Sequence, residues 1–220
     1  MLVVPGGKPR LPVSGEGAAS PSTPPPAETA SGDAERRGDG TFASAAGGTG
    51  VSGTGVLQRY RVEVENGTGQ DADAVAAEVD AVLGNTTRGW SAKGDWSFQR
   101  VAEGKPHFTV KLASPATTVS LCRSLGVRTK EDVGWCGGKD VVVVNLGRWN
   151  VPAPAYADDI DAYHALTVNQ SVGHQLGYRR TGCPGPGEPA PVMMPQGKGL
   201  NGCTPNAWPY ARQGGNHTGR

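Results

Sequence analysis

The chain has 220 residues, which is enough for one domain with a tail and too few for two well-cored domains joined by a linker. Its 21 Lys and Arg residues nearly balance its 20 Asp and Glu residues, giving a formal charge of +1, so we expect no nucleic-acid partner. Glycine (34 residues) and proline (18 residues) are frequent, and hydrophobic residues make up only 36%. This composition predicts a segment outside the packed core.

Residues 1–54 match that description. They are rich in Gly, Pro, Ser, Thr and Ala, a composition that cannot offset the entropy lost on ordering, so we predict a disordered tail or linker. The apolar run at Leu2 ends at Pro5, short of the roughly 7–15 apolar residues of a secretory signal, and nothing approaches the roughly 20 of a membrane span. Either an export signal lies upstream of Met1 or the protein is cytoplasmic.

The four cysteines favour export. They form an even set without Cys-x-x-Cys spacing, which argues against a zinc ribbon or a thioredoxin-like redox pair. Four cysteines allow three connectivities, of which we favour Cys122–Cys136 with Cys183–Cys203. Each of these disulfides closes a local loop of roughly 13–20 residues, a cross-link worth about 3 kcal/mol. Four reduced thiols are the alternative. Two disulfides would place the protein outside the cytoplasm, either secreted or in the cell envelope.

The folded part begins with a strand and a helix. Residues 57–65 alternate between polar and apolar side chains, which predicts a strand with one buried face. Residues 71–83 carry apolar side chains at helical spacing. Asp71 or Asp73 is the candidate N-cap of this helix, and Gly84 is its stop signal.

Three more strands and a short helix follow. Residues 96–101 and 107–112 alternate on either side of a turn-like stretch, so we predict that these two strands pair as neighbours. Residues 117–125 are typical of a short helix or turn. The β-branched run at residues 141–146 is typical of a strand covered on both faces, and we predict that it lies centrally in the sheet.

Residues 156–177 form the longest predicted helix, opened by Asp158 and Asp159 and closed by Gly177. Its side chains divide into an apolar face that packs on the sheet and a polar face that lines a cleft. From residue 183 onward Pro and Gly dominate, which predicts a loop-rich C-terminal subdomain. The apolar face carries Ala165, Val168, Val172 and Leu176, and the polar face carries Tyr163, Thr167, Gln170 and His174.

Two runs in this C-terminal part resemble a known family. Residues 183–194 read Cys-Pro-Gly-Pro-Gly-Glu-Pro-Ala-Pro-Val-Met-Met, and residues 199–209 read Gly-Leu-Asn-Gly-Cys-Thr-Pro-Asn-Ala-Trp-Pro. They resemble the actinobacterial DUF3152 family, whose members look like metzincin zinc peptidases. The resemblance implies an α/β (α+β) zincin fold, which we place at residues 55–212, and we expect a flexible end at residues 213–220. The fold would have a mixed, twisted sheet of about four or five strands, a long active-site-type helix and a loop-rich C-terminal subdomain.

Members of that family carry the helix Asn-His-Glu-Val-Gly-His, and the metzincin signature is His-Glu-x-x-His-x-x-Gly-x-x-His followed by a Met-turn. Three histidines hold zinc and leave an open position for water, and the glutamate takes the proton of that water. On this chain the resemblance implies His174 as the second ligand and Gly177 as the turn glycine. It places the Met-turn at Met193 or Met194.

The other signature positions hold residues of different chemistry. The first ligand position is Gln170, the general-base position is Ser171 and the third ligand position is Arg180. An amide oxygen is a weak zinc ligand, a serine hydroxyl is a poor base near neutral pH, and a guanidinium repels a divalent cation. We therefore expect no cofactor and no peptide hydrolysis. The groove could still bind an extended peptide or an envelope protein by strand addition.

The alternative is an active zinc metallopeptidase with rewired ligands. The spacing does not favour it, because His164 stands ten residues before His174, roughly 80° away around the helix and about 15 Å along its axis. The residues that such a site would have to recruit are His164, His107, His217, Asp158 and Glu188.

Overall fold

The computed structural model describes residues 38–210 and residue 218, so residues 1–37 of the predicted tail, and residues 213–220 except 218, lie outside the described residues. The described part folds as a mixed seven-stranded sheet with helices, which confirms the α/β class. Our prediction of four or five strands was too low, because three strands have only two or three residues and show no pattern to recognise. The strands are β1 (Phe42–Ser44), β2 (Ser52–Gly53), β3 (Val56–Glu65), β4 (Trp96–Arg100), β5 (Phe108–Ala113), β6 (Trp135–Gly137) and β7 (Val141–Asn145).

Four parallel strands form the centre of the sheet, in the order β4-β3-β5-β7. β2 flanks β4 and β6 flanks β7, both in the antiparallel direction. β1 also pairs antiparallel with β3, beyond the point where β4 ends. The sheet therefore has a parallel core and short antiparallel margins.

The ordered domain begins before residue 55, where we placed the end of the tail. β1 pairs with the end of β3, and β2 pairs with β4. Arg100 of β4 holds the same segment, because its guanidinium donates to the Ala46 carbonyl at 2.7 Å and its own carbonyl accepts the Thr49 N–H at 3.1 Å. Backbone hydrogen bonds rather than a buried apolar run order this segment, so its Gly-rich composition concealed it.

β4 and β5 do not pair with each other, so our prediction that they are neighbours was wrong. β3 lies between them, and its Tyr60 pairs both with Arg100 at the end of β4 and with Phe108 at the start of β5. Residues 101–107 therefore cross one face of β3, where the Arg61 guanidinium donates to a backbone carbonyl of this loop at 2.8 Å. Alternating side chains are the same in a hairpin and in two parallel strands, so the pattern could not separate the two arrangements.

Within residues 38–210, four α-helices pack around the sheet, and two of them begin at predicted caps. Asp71 accepts the Ala74 N–H at 2.7 Å at the start of the first helix, and Asp159 accepts the Ala162 N–H at 2.9 Å at the start of the last. The last helix thus starts after Asp159 rather than at residue 156. The helices are α1 (Ala72–Leu83), α2 (Pro115–Ser124), α3 (Leu146–Trp149) and α4 (Ile160–Gln175), with 3-10 turns at Trp90–Lys93, Pro154–Tyr156 and Gln196–Lys198.

β7 lies second from the edge of the sheet, between β5 and β6, so the central position that we predicted for it was wrong. Its side chains are nevertheless buried on both faces. Val143 belongs to a small core with Cys122 of α2, whereas Val142 and Val144 belong to the main core together with Val168 of α4. Helices on both faces, and not a central place, account for the β-branched run.

Both predicted disulfides, Cys122–Cys136 and Cys183–Cys203, are confirmed. The first joins α2 to β6, and the second lies in the loop-rich C-terminal region, where Met194 and Cys203 belong to a separate small core. Two disulfides are consistent with an extracellular protein. Among the described residues, no helix combines the length and the apolar character that a bilayer crossing requires.

Candidate functional site

One face of α4 forms the floor of a cleft with a volume of about 670 Å³. The predicted division of this helix is confirmed, since Val168 and Val172 are buried in the core on the other side. Beyond the helix, Gly177 has a φ of 89°, a left-handed conformation that favours glycine, and the chain turns there. The side chains of α4 that line the cleft are Tyr163, Leu166, Thr167, Gln170 and His174.

The cleft has two walls. One is the loop of residues 129–134 with Trp135 of β6, the edge strand of the sheet. The opposite wall comes from the segment after Cys183, in which Met193, Pro195 and Lys198 line the cleft. Helix, edge strand and Pro-rich segment therefore enclose a groove.

Two arginines, Arg148 and Arg180, line this groove. The charge of Arg148 acts on the Tyr163 hydroxyl, and the charge of Arg180 acts on the His174 imidazole. Tyr163 and His174 are eleven residues apart on α4, which corresponds to about 16 Å along the helix axis. Both residues line the cleft, so the groove is long enough for a short extended segment and carries two guanidinium groups.

His174 is half-buried, and its ring lies 5.0 Å from the Trp135 ring, centroid to centroid. Burial lowers the pKa of His174 because it disfavours the charged form, and the positive charge of Arg180 lowers this pKa further. The imidazole is therefore neutral at neutral pH, and it offers the cleft a hydrogen-bonding group beside a fixed positive charge.

Gln170 and Met193 connect α4 to the opposite wall. The Gln170 side-chain amide donates to the carbonyl oxygen of Met194. Met193 packs on Gly173 so closely that a Cβ there would lie 2.5 Å from the Met193 sulfur and 2.6 Å from the Trp90 ring. Met193 therefore is the methionine that lines the cleft, whereas Met194 is buried in the separate C-terminal core.

Ser171, at the general-base position, does not reach the cleft. Its side chain is buried, and its hydroxyl donates to the Val168 carbonyl at 3.1 Å within the same helix. A hydroxyl in this position neither contacts a bound substrate nor takes a proton from water in the cleft.

The residues at the three ligand positions do not fit a zinc ion. Gln170 is engaged with the Met194 backbone, His174 supplies a single imidazole, and Arg180 brings a permanent positive charge to the third position. In the part of the chain that the structure describes, no cluster of three or more His, Cys, Asp or Glu side chains could hold a metal.

The residues proposed for a rewired metal site lie elsewhere. His107 accepts the Arg59 N–H through Nδ1 at 2.8 Å. His164 stacks on Trp149, with 3.6 Å between ring centroids, and its Nδ1 lies 2.5 Å from Glu78. Neither histidine lines the cleft, nor do Asp158 and Glu188, and His217 lies outside the described residues.

Apart from Arg180 and Met193, sequence reasoning missed the residues of the cleft that α4 does not carry. Trp135 belongs to a strand too short to show alternation. Arg148 lies just after the parallel strand β7. Ligand sites in open α/β sheets lie beyond the carboxyl ends of parallel strands, so the position of Arg148 in the chain could have identified it as a cleft residue. The other charged side chains of the cleft that the sequence did not point to are Lys130, Asp132 and Lys198.

A family model described as "Protein of unknown function (DUF3152)" matches residues 29–211 of the chain. The match begins before β1 and covers the whole sheet, α4 and the C-terminal loops, in agreement with an ordered domain that starts before residue 55. No curated protein and no solved structure matches the chain.

Proposed function

Because the chain belongs to the DUF3152 family, whose description names no activity, we propose its function from the chemistry of the cleft. We propose that the protein is an exported, non-catalytic domain on a metzincin-like scaffold and that its cleft binds an extended peptide beside β6. The observation that carries this proposal is an edge strand with outward-facing backbone groups along one wall of a cleft.

The backbone of β6 has one side bonded to β7 and one side facing away from it. The Asn145 N–H donates to the Gly134 carbonyl at 3.0 Å, and the Gly138 N–H donates to the Val141 carbonyl at 2.9 Å. Since successive residues of an antiparallel strand alternate in direction, the N–H and C=O groups of the strand's end residues point away from β7. Among the described residues, no strand pairs with this side of β6.

An extended peptide can use these groups. Trp135 and Gly137 each present an N–H and a C=O, so a peptide strand beside them could form up to four hydrogen bonds. The tilted Trp135 and His174 rings lie next to this edge and could receive alternate side chains of the peptide. The scaffold features that support a metzincin-like ancestry are the long floor helix, the Gly177 turn and Met193 in the wall of the cleft.

Three features support binding without hydrolysis. Ser171 is buried with its hydroxyl bonded inside the helix, Gln170 is tied to the opposite wall, and Arg180 opposes a divalent cation. The two disulfides support export, because such cross-links persist in oxidising compartments.

The test is selection of peptides from a random ten-residue phage-displayed library on the full chain, followed by an N-methyl scan of a selected peptide. Strand addition predicts that methylating every second backbone nitrogen weakens binding at least about tenfold, whereas methylating the nitrogens between them changes it little. The intervening positions are the matched control, because they carry the same added methyl group.

Two results would overturn the proposal. If no peptide is selected, or if the N-methyl scan shows no alternation, β6 does not bind by strand addition. If mass spectrometry shows cleavage of the selected peptide after incubation with zinc chloride, and His174→Ala abolishes that cleavage, the active metallopeptidase is the correct reading instead.

A further inference from the structure

The cleft carries an excess of positive charge that the rest of the chain does not have. The formal charge of the whole protein is +1, so the surface overall is balanced. The side chains that line the cleft nevertheless include four cations and one carboxylate, Asp132. The four cations are Lys130, Arg148, Arg180 and Lys198.

None of these four cations has a carboxylate partner within residues 38–210. The ion pairs of this part of the chain join Arg100 to Asp80, Lys111 to Glu63 and His164 to Glu78, all away from the cleft. Arg148 uses its Nε to bond the backbone carbonyl of Asp132 at 3.1 Å, so the rest of its guanidinium is not committed to a carboxylate. Unpaired cations around a groove attract a ligand of opposite charge.

The cleft is also long enough for a peptide, and both arginines line it. Tyr163 and His174 stand about 16 Å apart along α4, and an extended chain covers this distance with about five residues at roughly 3.4 Å each. Guanidinium groups bind carboxylates through two parallel N–H groups, which gives direction as well as charge to the contact.

We infer that the cleft selects extended peptides that carry a carboxylate, which pairs with Arg148 or Arg180 while the peptide backbone lies along β6. This inference rests on the proposed peptide-binding function and adds its ligand class. The carboxylate belongs either to an Asp or Glu side chain or to the peptide's own C-terminus. Both sources present the same planar group to an arginine, so the peptides used in the test must separate them.

The test uses four fluorescently labelled ten-residue peptides with the same apolar residues, measured by fluorescence anisotropy on the full chain. One is neutral with an amidated end, one is neutral with a free C-terminal carboxylate, one carries two Glu residues five positions apart with an amidated end, and one carries Lys in place of Glu. We expect at least one carboxylate peptide to bind about tenfold more tightly than the neutral amide at 20 mM salt, and the Lys peptide to bind most weakly. The advantage should shrink at 500 mM salt, where screening is strong.

The matched variants are the double substitution Arg148→Gln with Arg180→Gln, and Arg123→Gln as the control. All three arginines are exposed, and Arg123 lies on α2 outside the cleft. We expect the double variant to lose the carboxylate preference while its affinity for the neutral amide stays within about twofold, and the control to bind like the parent.

Each remaining outcome has a defined meaning. Equal binding of the acidic and neutral peptides overturns the inference and leaves the peptide-binding proposal standing. A carboxylate preference that survives in the double variant also overturns it, because the charge then acts from another site. Failure of all four peptides, together with failure of the library selection, overturns both.

Discussion

Glu65 offers the sharpest test of how the fold is held together. It ends β3, its side chain is almost fully buried, and its carboxylate accepts three hydrogen bonds. The donors are the Gly40 N–H at 2.9 Å, the Ser114 N–H at 2.6 Å and the Thr117 hydroxyl at 2.6 Å. The Ser114 side chain makes no capping hydrogen bond at the start of α2. The Glu65 carboxylate at the end of β3 caps this helix instead, and it also binds the segment around Gly40, so it connects three segments of the chain.

The magnitude follows from the number of donors. Glu65→Ala removes the acceptor for all three and leaves the buried Ser114 N–H without a partner, at about 1–3 kcal/mol for each stranded donor, so we expect a loss of about 4 kcal/mol. Glu65→Gln keeps the shape but offers an N–H₂ group to one of the donors, and we expect a loss of about 2 kcal/mol. The exposed Glu103→Gln is the control and should change stability by less than about 0.5 kcal/mol.

Urea unfolding followed by tryptophan fluorescence measures these differences as shifts of the midpoint at constant slope. If Glu65→Ala unfolds within about 1 kcal/mol of the parent, the three hydrogen bonds are not what orders this junction.

Three further outcomes are expected. Gly173→Ala should lower the free energy of unfolding, measured in urea, by about 1–3 kcal/mol, because the added methyl group would lie 2.5 Å from the sulfur of Met193. An unchanged unfolding midpoint would show that α4 and the opposite wall of the cleft are not in contact. The folded chain holds the pKa of His174 below its ordinary 6.5, so the unfolded chain protonates this histidine at a higher pH than the folded chain does, and the free energy of unfolding should fall as the pH drops below about 6.5. His174→Gln should flatten that part of the stability profile. An identical profile in the variant would show that the pKa of His174 is not lowered by folding. The double substitution Gln170→His with Arg180→His places two more imidazoles at the ligand positions and should bind zinc in calorimetry where the parent does not; no binding by the variant would count against the metzincin-like scaffold.

The fold could be predicted where one segment carries its own pattern. The second half of β3 is visible in the sequence because the buried Tyr60, Val62 and Val64 alternate with half-buried residues. The start of α4 is visible because Asp159 caps it, although the helix is buried on most of its sides from Ala165 to Gly173. Strand order could not be predicted in this way. The pairing of β4 and β5 with opposite halves of β3 depends on a loop crossing the sheet, and no local pattern encodes that crossing.

The candidate site, too, was predictable only where its residues lie on a single element. The polar face of α4 was predictable, since Gln170 and His174 stand one helical turn apart on a single element. The positive charge around the cleft was not predictable, because Lys130, Arg148 and Lys198 come from three separate segments that meet only after folding. Charge assembled from separate segments leaves no spacing rule in the sequence.

The short strands β1 and β2 shield the rest of the sheet from other molecules. β1 occupies the last third of β3 on the side that β4 leaves uncovered, and β2 covers the outer side of β4. A fragment that starts at residue 55 would lose both and display two rows of unsatisfied backbone groups, which are templates for intermolecular pairing and aggregation. The few residues before β3 therefore help to keep the folded protein soluble by covering strand edges, although they contribute little to the core.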